Sequence, residues 1–188
     1  INLARLIGVR IVRRLNCAVE RPKRALGVLS LGAVGGGLAW LGSGGARVLV
    51  ASAGNAAAEF GEVAARLADS PAFAAVVGVE VNISCPNVAN RGLVFACDPV
   101  SSDAVVRLVR DKLPAAPPIF AKLTPDVTDI VTIADAALGA GADGLTMINT
   151  LLGMVIDTDL LRPQLAGVTG GLSGPAVRPV AVRALWQV

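Results

Sequence analysis

The 188-residue sequence contains no histidine and no tyrosine, and its aromatic residues amount to four Phe and two Trp. Without imidazole there is no Ser-His-Asp arrangement, no His metal ligand and no His proton shuttle. Proton chemistry therefore falls to Cys, Lys, Asp or Glu. Cysteine is sparse too: Cys17, Cys85 and Cys97 are too few and too scattered for a disulfide framework or a zinc cluster. No metal site is expected, and a reduced, cytoplasmic protein is. Only 16% of residues are charged while 54% are hydrophobic, an apolar balance for a soluble domain. It suits a parallel sheet covered on both faces by helices. It equally suits a fragment whose missing parts cover some of that surface. The first residue is Ile, not Met, so a natural start further upstream is expected.

The net charge of +3 conceals an asymmetry: residues 1–24 carry a balance of +6 and the remaining residues one of −3. The basic stretch lacks interleaved aromatics, so no nucleic-acid partner is expected. Residues 25–46 carry no charge, which resembles a membrane segment behind a positive flank. Eight of those 22 residues are Gly, however, and glycine weakens a helix. Membrane insertion is not expected.

From Arg47 the pattern becomes regular. Residues 47–51 (RVLVA), 78–83 (GVEVNI), 118–123 (PIFAKL) and 144–148 (GLTMI) read as strands. Between them, 56–68, 102–113 and 124–138 have helical periodicity. Phe60, Val63, Ala64 and Leu67 form one inward face, and Val105, Val106, Leu108 and Val109 another. Thr124 is expected to cap the third helix, followed by Pro125 and Asp126. A Gly-rich loop and a last helix opened by Pro175 complete the chain. Alternating apolar strands and helices predict an α/β fold with a parallel sheet. A (β/α)8 barrel and an open doubly wound sheet both fit this order, but no GxGxxG loop follows the first strand. Polar residues also gather at the strand ends: Asn55, Asn82 to Asn87, Lys122, Asn149 and Thr150. In a barrel those ends converge on one mouth. A partial (β/α)8 TIM barrel over 46–188 is therefore the expected architecture, with residues 1–45 unassigned.

One segment concentrates chemistry. In Asn82-Ile83-Ser84-Cys85-Pro86-Asn87 the strand stops at a proline, which puts Cys85 on a loop between two amides. Amides with paired donors and an acceptor suit a flat ligand bearing carbonyl and NH groups. A thiol there can serve as a base where its pKa suits the task. Lys122 ends an apolar strand, where an ammonium is costly to bury without a counter-charge.

NISCPNVANRGLVFACDP resembles the active-site strand and loop of class 1 dihydroorotate dehydrogenases, especially the heteromeric subclass 1B. AKLTPDVTDI, GADGLTMINTLLGM and GVTGGLSGPAVRPVAVRALWQV continue the resemblance in family order over residues 47–188. It implies FMN-dependent oxidation of dihydroorotate to orotate in pyrimidine biosynthesis, with Cys85 as catalytic base. It further implies that Asn82, Asn87, Asn149 and Thr150 bind the substrate. Asn55, Asn82, Lys122, Ile148 and Gly174 would contact FMN, the charge of Lys122 being answered by the reduced flavin. Subclass 1B implies a partner subunit carrying FAD and an iron–sulfur cluster, and a homo- or hetero-oligomer at full length. The Cys loop is also similar to the flavin domain of dihydropyrimidine dehydrogenase, which stays an alternative. Quinone-linked class 2 enzymes carry Ser where Cys85 stands. Residues 1–45 do not resemble the family, and its phosphate-holding turns lie beyond the matched segments. On that ground this polypeptide alone is expected to bind FMN weakly or not at all, as an inactive truncated fragment.

Overall fold

The computed structural model describes residues 47–84 and 95–188. Four strands, β1 (Val48–Ser52), β2 (Val76–Asn82), β3 (Ile119–Lys122) and β4 (Gly144–Thr146), form one sheet in the order β1-β2-β3-β4. All three pairings are parallel. Each crossover contains a helix: α1 (Ala57–Ala68), α2 (Pro99–Lys112) and α3 (Ile130–Gly139). α1 packs on α2 and α2 on α3, so the helices lie side by side along one face. Strands that stay beside their successors under one helical layer build the arc of a βα barrel, not a sheet wound in both directions from its middle.

Strand alternation separates the two faces. Val79, Val81, Ile83, Ile119, Ala121 and Leu123 point under the helices, each no more than 1% exposed. Burying a side chain of this kind contributes about 1.5–3 kcal/mol for the larger ones. The helices answer with Phe60, Ala64 and Leu67 from α1, Val105, Val106 and Val109 from α2, and Ile133, Ala134 and Ala137 from α3. The inward faces expected of α1 and α2 are thus the buried ones, except that Leu108 is only half-buried.

The helix starts need correction. α2 begins at Pro99, three residues before the expected 102, because Asp98 accepts a hydrogen bond from the Ser101 N–H at 2.8 Å and Pro99 occupies the first turn. α3 begins at Ile130, not at Thr124. Its cap is Asp129, whose carboxylate accepts from the N–H groups of Val131 and Thr132. The Thr124 hydroxyl instead accepts from the Asp126 N–H at 3.1 Å, a local turn that competes with helix. Asp98 and Asp129 have pKa values held below the ordinary carboxylate value, foremost by the hydroxyls of Ser101 and Thr132.

The expected Gly-rich loop after β4 also needs correction. It contains two antiparallel ladders, β5 (Leu151–Gly153) with β8 (Gly170–Leu172) and β6 (Ile156–Asp157) with β7 (Arg162–Pro163). Their pairing is made by backbone groups, and side chains there are largely exposed, so no apolar alternation marks them in the sequence. Pro175 opens a single 3-10 turn, Pro175–Val177, before α4 (Arg178–Gln187). Among the described residues no helix is long and apolar enough to cross a membrane; the uncharged 25–46 stretch lies outside them.

Candidate active site

The inner face of the sheet, opposite the helices, is layered by register. Leu49 stands opposite Gly78. Above them Ala51, Glu80, Phe120 and Gly144 align across the four strands, and Asn82, Lys122 and Thr146 align at the C-terminal edge. The lower layers are filled by apolar bulk: a Cβ on Gly78 would lie 2.7 Å from Leu49 and 3.3 Å from the Phe120 ring. Gly144 faces the same ring, with its virtual Cβ at 3.0 Å. Two glycines thus make room for one phenylalanine, and apart from Glu80 the polar residues of this face stand at the mouth.

Lys122 Nζ lies 3.2 Å from Glu80 Oε1, with the side chains 26% and 12% exposed. The family resemblance implies a bound flavin as the counter-charge of Lys122; in the fold Glu80, on the neighbouring strand, already provides one. Period-two alternation in GVEVNI, with Glu80 two residues before Asn82, was the signal for this partner. Ser52 steadies the same region by donating to the Glu80 carbonyl at 3.4 Å.

Ser84 was likewise missed, and it joins the ends of two strands. Its hydroxyl donates to Asn82 Oδ1 at 3.0 Å, and its N–H approaches the same oxygen at 3.3 Å. Asn149 Nδ2 donates to the Ser84 carbonyl at 2.7 Å and to its hydroxyl at 3.0 Å. The Asn149 side-chain Oδ1 accepts from the Thr150 N–H at 2.8 Å, and the Asn149 backbone N–H donates to the Leu123 carbonyl. Asn82, Ser84 and Asn149 therefore form one network, with Thr150 attached. Asn82 spends its oxygen on Ser84, which leaves its amide nitrogen without a protein partner among the described residues. Asn149 commits both amide hydrogens internally, so toward a ligand it keeps only acceptor capacity in this arrangement.

The other expected residues sit around this edge. Asn55 is exposed just beyond β1, and its N–H donates to Glu59 at 2.8 Å in the first turn of α1. Ile148 is partly buried against the core. Gly174 has φ +85 and ψ −164, a conformation essentially reserved for glycine. A Cβ there would meet nothing within 4 Å, so glycine is required by the backbone angle, and the space beside it is open. Cys85 and Asn87, with Cys17, lie outside the described residues.

A separate cleft of about 620 Å³ is lined by Cys97, Pro99, Asp126, Asp129, Thr132 and Ile133 among others. None of the inner-face residues lines it. The inner face is the better candidate, because there, among the described residues, a cation and two amides stand together at the C-terminal edge of the sheet. The Cys97 thiol is pushed up in pKa by burial and by Asp126, which leaves it little thiolate for chemistry at neutral pH. Among the described residues no group of three His, Cys, Asp or Glu side chains could hold a metal ion.

The donor set does fit a flavin. The planar ring presents carbonyl and NH edges and gains negative charge on reduction, and the mouth offers an ammonium and a donating amide. The arrangement defines a parallel βα-barrel segment with a polar site at its strand ends. A family model described as dihydroorotate dehydrogenase matches residues 41–188, and the chain belongs to that family, whose fold is the (β/α)8 barrel. Three curated relatives are named dihydroorotate dehydrogenase B (NAD(+)), catalytic subunit. That of Geobacter sp. (strain M21) is 55% identical over 141 residues, covering 75% of this chain and 45% of the relative. That of Desulforudis audaxviator is 56% identical over 141 residues, covering 75% and 44%. That of Geobacter sulfurreducens is 52% identical over 141 residues, covering 75% and 45%. The chain thus spans a little under half the length of these relatives.

Proposed function

We propose that this chain is the central part of an FMN-dependent dihydroorotate dehydrogenase, oxidising dihydroorotate to orotate in pyrimidine biosynthesis. The observation that carries the reading is the 55% identity over 141 residues to a curated catalytic subunit. The cross-strand row Asn82, Lys122 and Thr146 supports it, since it puts polar groups at the end of the barrel where such folds place catalysis.

In this reading the catalytic barrel portion runs from 46 to 188. Bound FMN would supply the acceptor for the hydride leaving C6 of dihydroorotate. Cys85 removes the C5 proton as the catalytic base. Asn82 donates its unspent amide hydrogens, and Asn87, Asn149 and Thr150 hold the pyrimidine ring and its carboxylate. Asn55, Lys122, Ile148 and Gly174 line the flavin, with Lys122 bringing positive charge toward the ring system. The relatives' names include NAD(+) and "catalytic subunit", which supports an electron-transfer partner subunit, here assigned FAD and an iron–sulfur cluster. The assembly is assigned to the cytoplasm.

The test is anaerobic bleaching of the flavin by dihydroorotate, using the full-length gene product beside its Cys85→Ala variant. Wild type is expected to bleach, and Cys85→Ala to slow by about 10²–10⁴-fold with FMN still bound, as for loss of a general base. Equal rates would remove Cys85 from its role. Bleaching by dihydrouracil but not dihydroorotate would move the protein to the dihydropyrimidine branch.

A further inference from the structure

The four parallel strands contain one acidic and one basic side chain between them, Glu80 and Lys122. Both lie on the inner face, and they meet at 3.2 Å. Glu80 is rooted one layer below Lys122, opposite Phe120, while Lys122 is level with Asn82 at the mouth. As a stabilising device such a pair is weak, because the cost of desolvating two charges largely cancels their attraction. An apolar pair would serve the core as well. Its placement beneath the strand-end mouth calls for another account.

We propose that Glu80 is a positioning residue and counter-charge that sets how much positive field Lys122 delivers to the flavin. The inference rests on the flavin reading above. Reduction adds negative charge to the ring system, so a nearby lone ammonium favours the reduced form. A carboxylate 3.2 Å from that ammonium turns it into the positive end of a dipole. A dipole's field falls off faster with distance than a single charge's, so the reduced form gains less. The same ion pair tethers a long, flexible side chain on the inner face of the sheet. Glu80 would thereby keep the cofactor's potential low enough to pass electrons onward instead of retaining them.

The test is an anaerobic redox titration of the full-length FMN holoprotein against a reference dye. Glu80→Gln preserves shape and a hydrogen bond to Lys122 but removes the charge. It is expected to shift the flavin equilibrium toward the reduced form by about tenfold, roughly 30 mV upward for a two-electron couple. Lys122→Met is expected to shift it the other way. Glu80→Asp, which only lengthens the pair, should give a smaller upward shift, and it decides the matter where Glu80→Gln fails to fold. A Glu80→Gln holoprotein with one FMN per chain and a potential unchanged or lowered would overturn the proposal while leaving the flavin reading intact. A wild-type protein that acquires no FMN would overturn the flavin reading itself.

Discussion

Phe60 and Phe95 meet edge to face, with ring centroids 5.8 Å apart and planes at 90°. Phe60 is 1% exposed on α1, and Phe95 opens the 3-10 turn Phe95–Cys97. Hydrogen bonds to neighbouring elements fix the backbone around Phe95. Ala96 N–H donates to the Ile83 carbonyl at 3.1 Å, and the Ser102 hydroxyl donates to the Phe95 carbonyl at 2.9 Å. The ring pair therefore ties α1 to both flanks of the segment that carries Cys85. Truncating Phe60 to Ala should cost about 3–5 kcal/mol, the usual range for a buried phenylalanine. The ring–ring contribution itself should be about 0.5–1.5 kcal/mol. A double-mutant cycle of Phe60→Leu and Phe95→Leu, followed by urea denaturation, isolates it. Under the proposed function the same variants should also slow flavin reduction by dihydroorotate, because the two flanks of the Cys85 segment lose a common anchor. A coupling energy below about 0.3 kcal/mol, within ordinary additivity, would refute the reasoning.

Gly174→Ala should destabilise by about 1–3 kcal/mol in a thermal or chemical melt, because φ +85 with ψ −164 suits only glycine. Ser84→Ala should cost about 1–3 kcal/mol, since it strips a buried hydroxyl that both accepts from Asn149 and donates to Asn82; it should also raise the KM for dihydroorotate more than it lowers kcat. The Asp129 cap makes a pH-dependent contribution. Its folded pKa is depressed, so its stabilisation is present above the ordinary carboxylate value of about 4 and is lost as pH falls through the lower folded value. Asp129→Asn should therefore lower the melting temperature at neutral pH, and the difference from wild type should shrink on acidification below about pH 4.

The strands and the inward faces of α1 and α2 were legible from residue order alone, because a parallel sheet buried on one side must spell its outer face in Val, Ile, Leu and Ala. The helix starts were less so. Thr124-Pro125-Asp126 and Asp129 both carry the residues of a helix entrance, and only the backbone that reached Ile130 chose between them. The short ladders between Leu151 and Leu172 left no mark, since backbone pairing at an exposed surface needs no particular side chain.

Residue type and spacing along the chain carry the family, the parallel βα order and the polar character of the strand ends, so these could be read before any fold was known. Tertiary structure decided which groups share a charge or a proton. Glu80 lies 42 residues from Lys122, and Ser84 lies 65 from Asn149. Such pairs are set by strand register and by which face each residue turns inward, quantities that exist only once neighbouring strands have aligned.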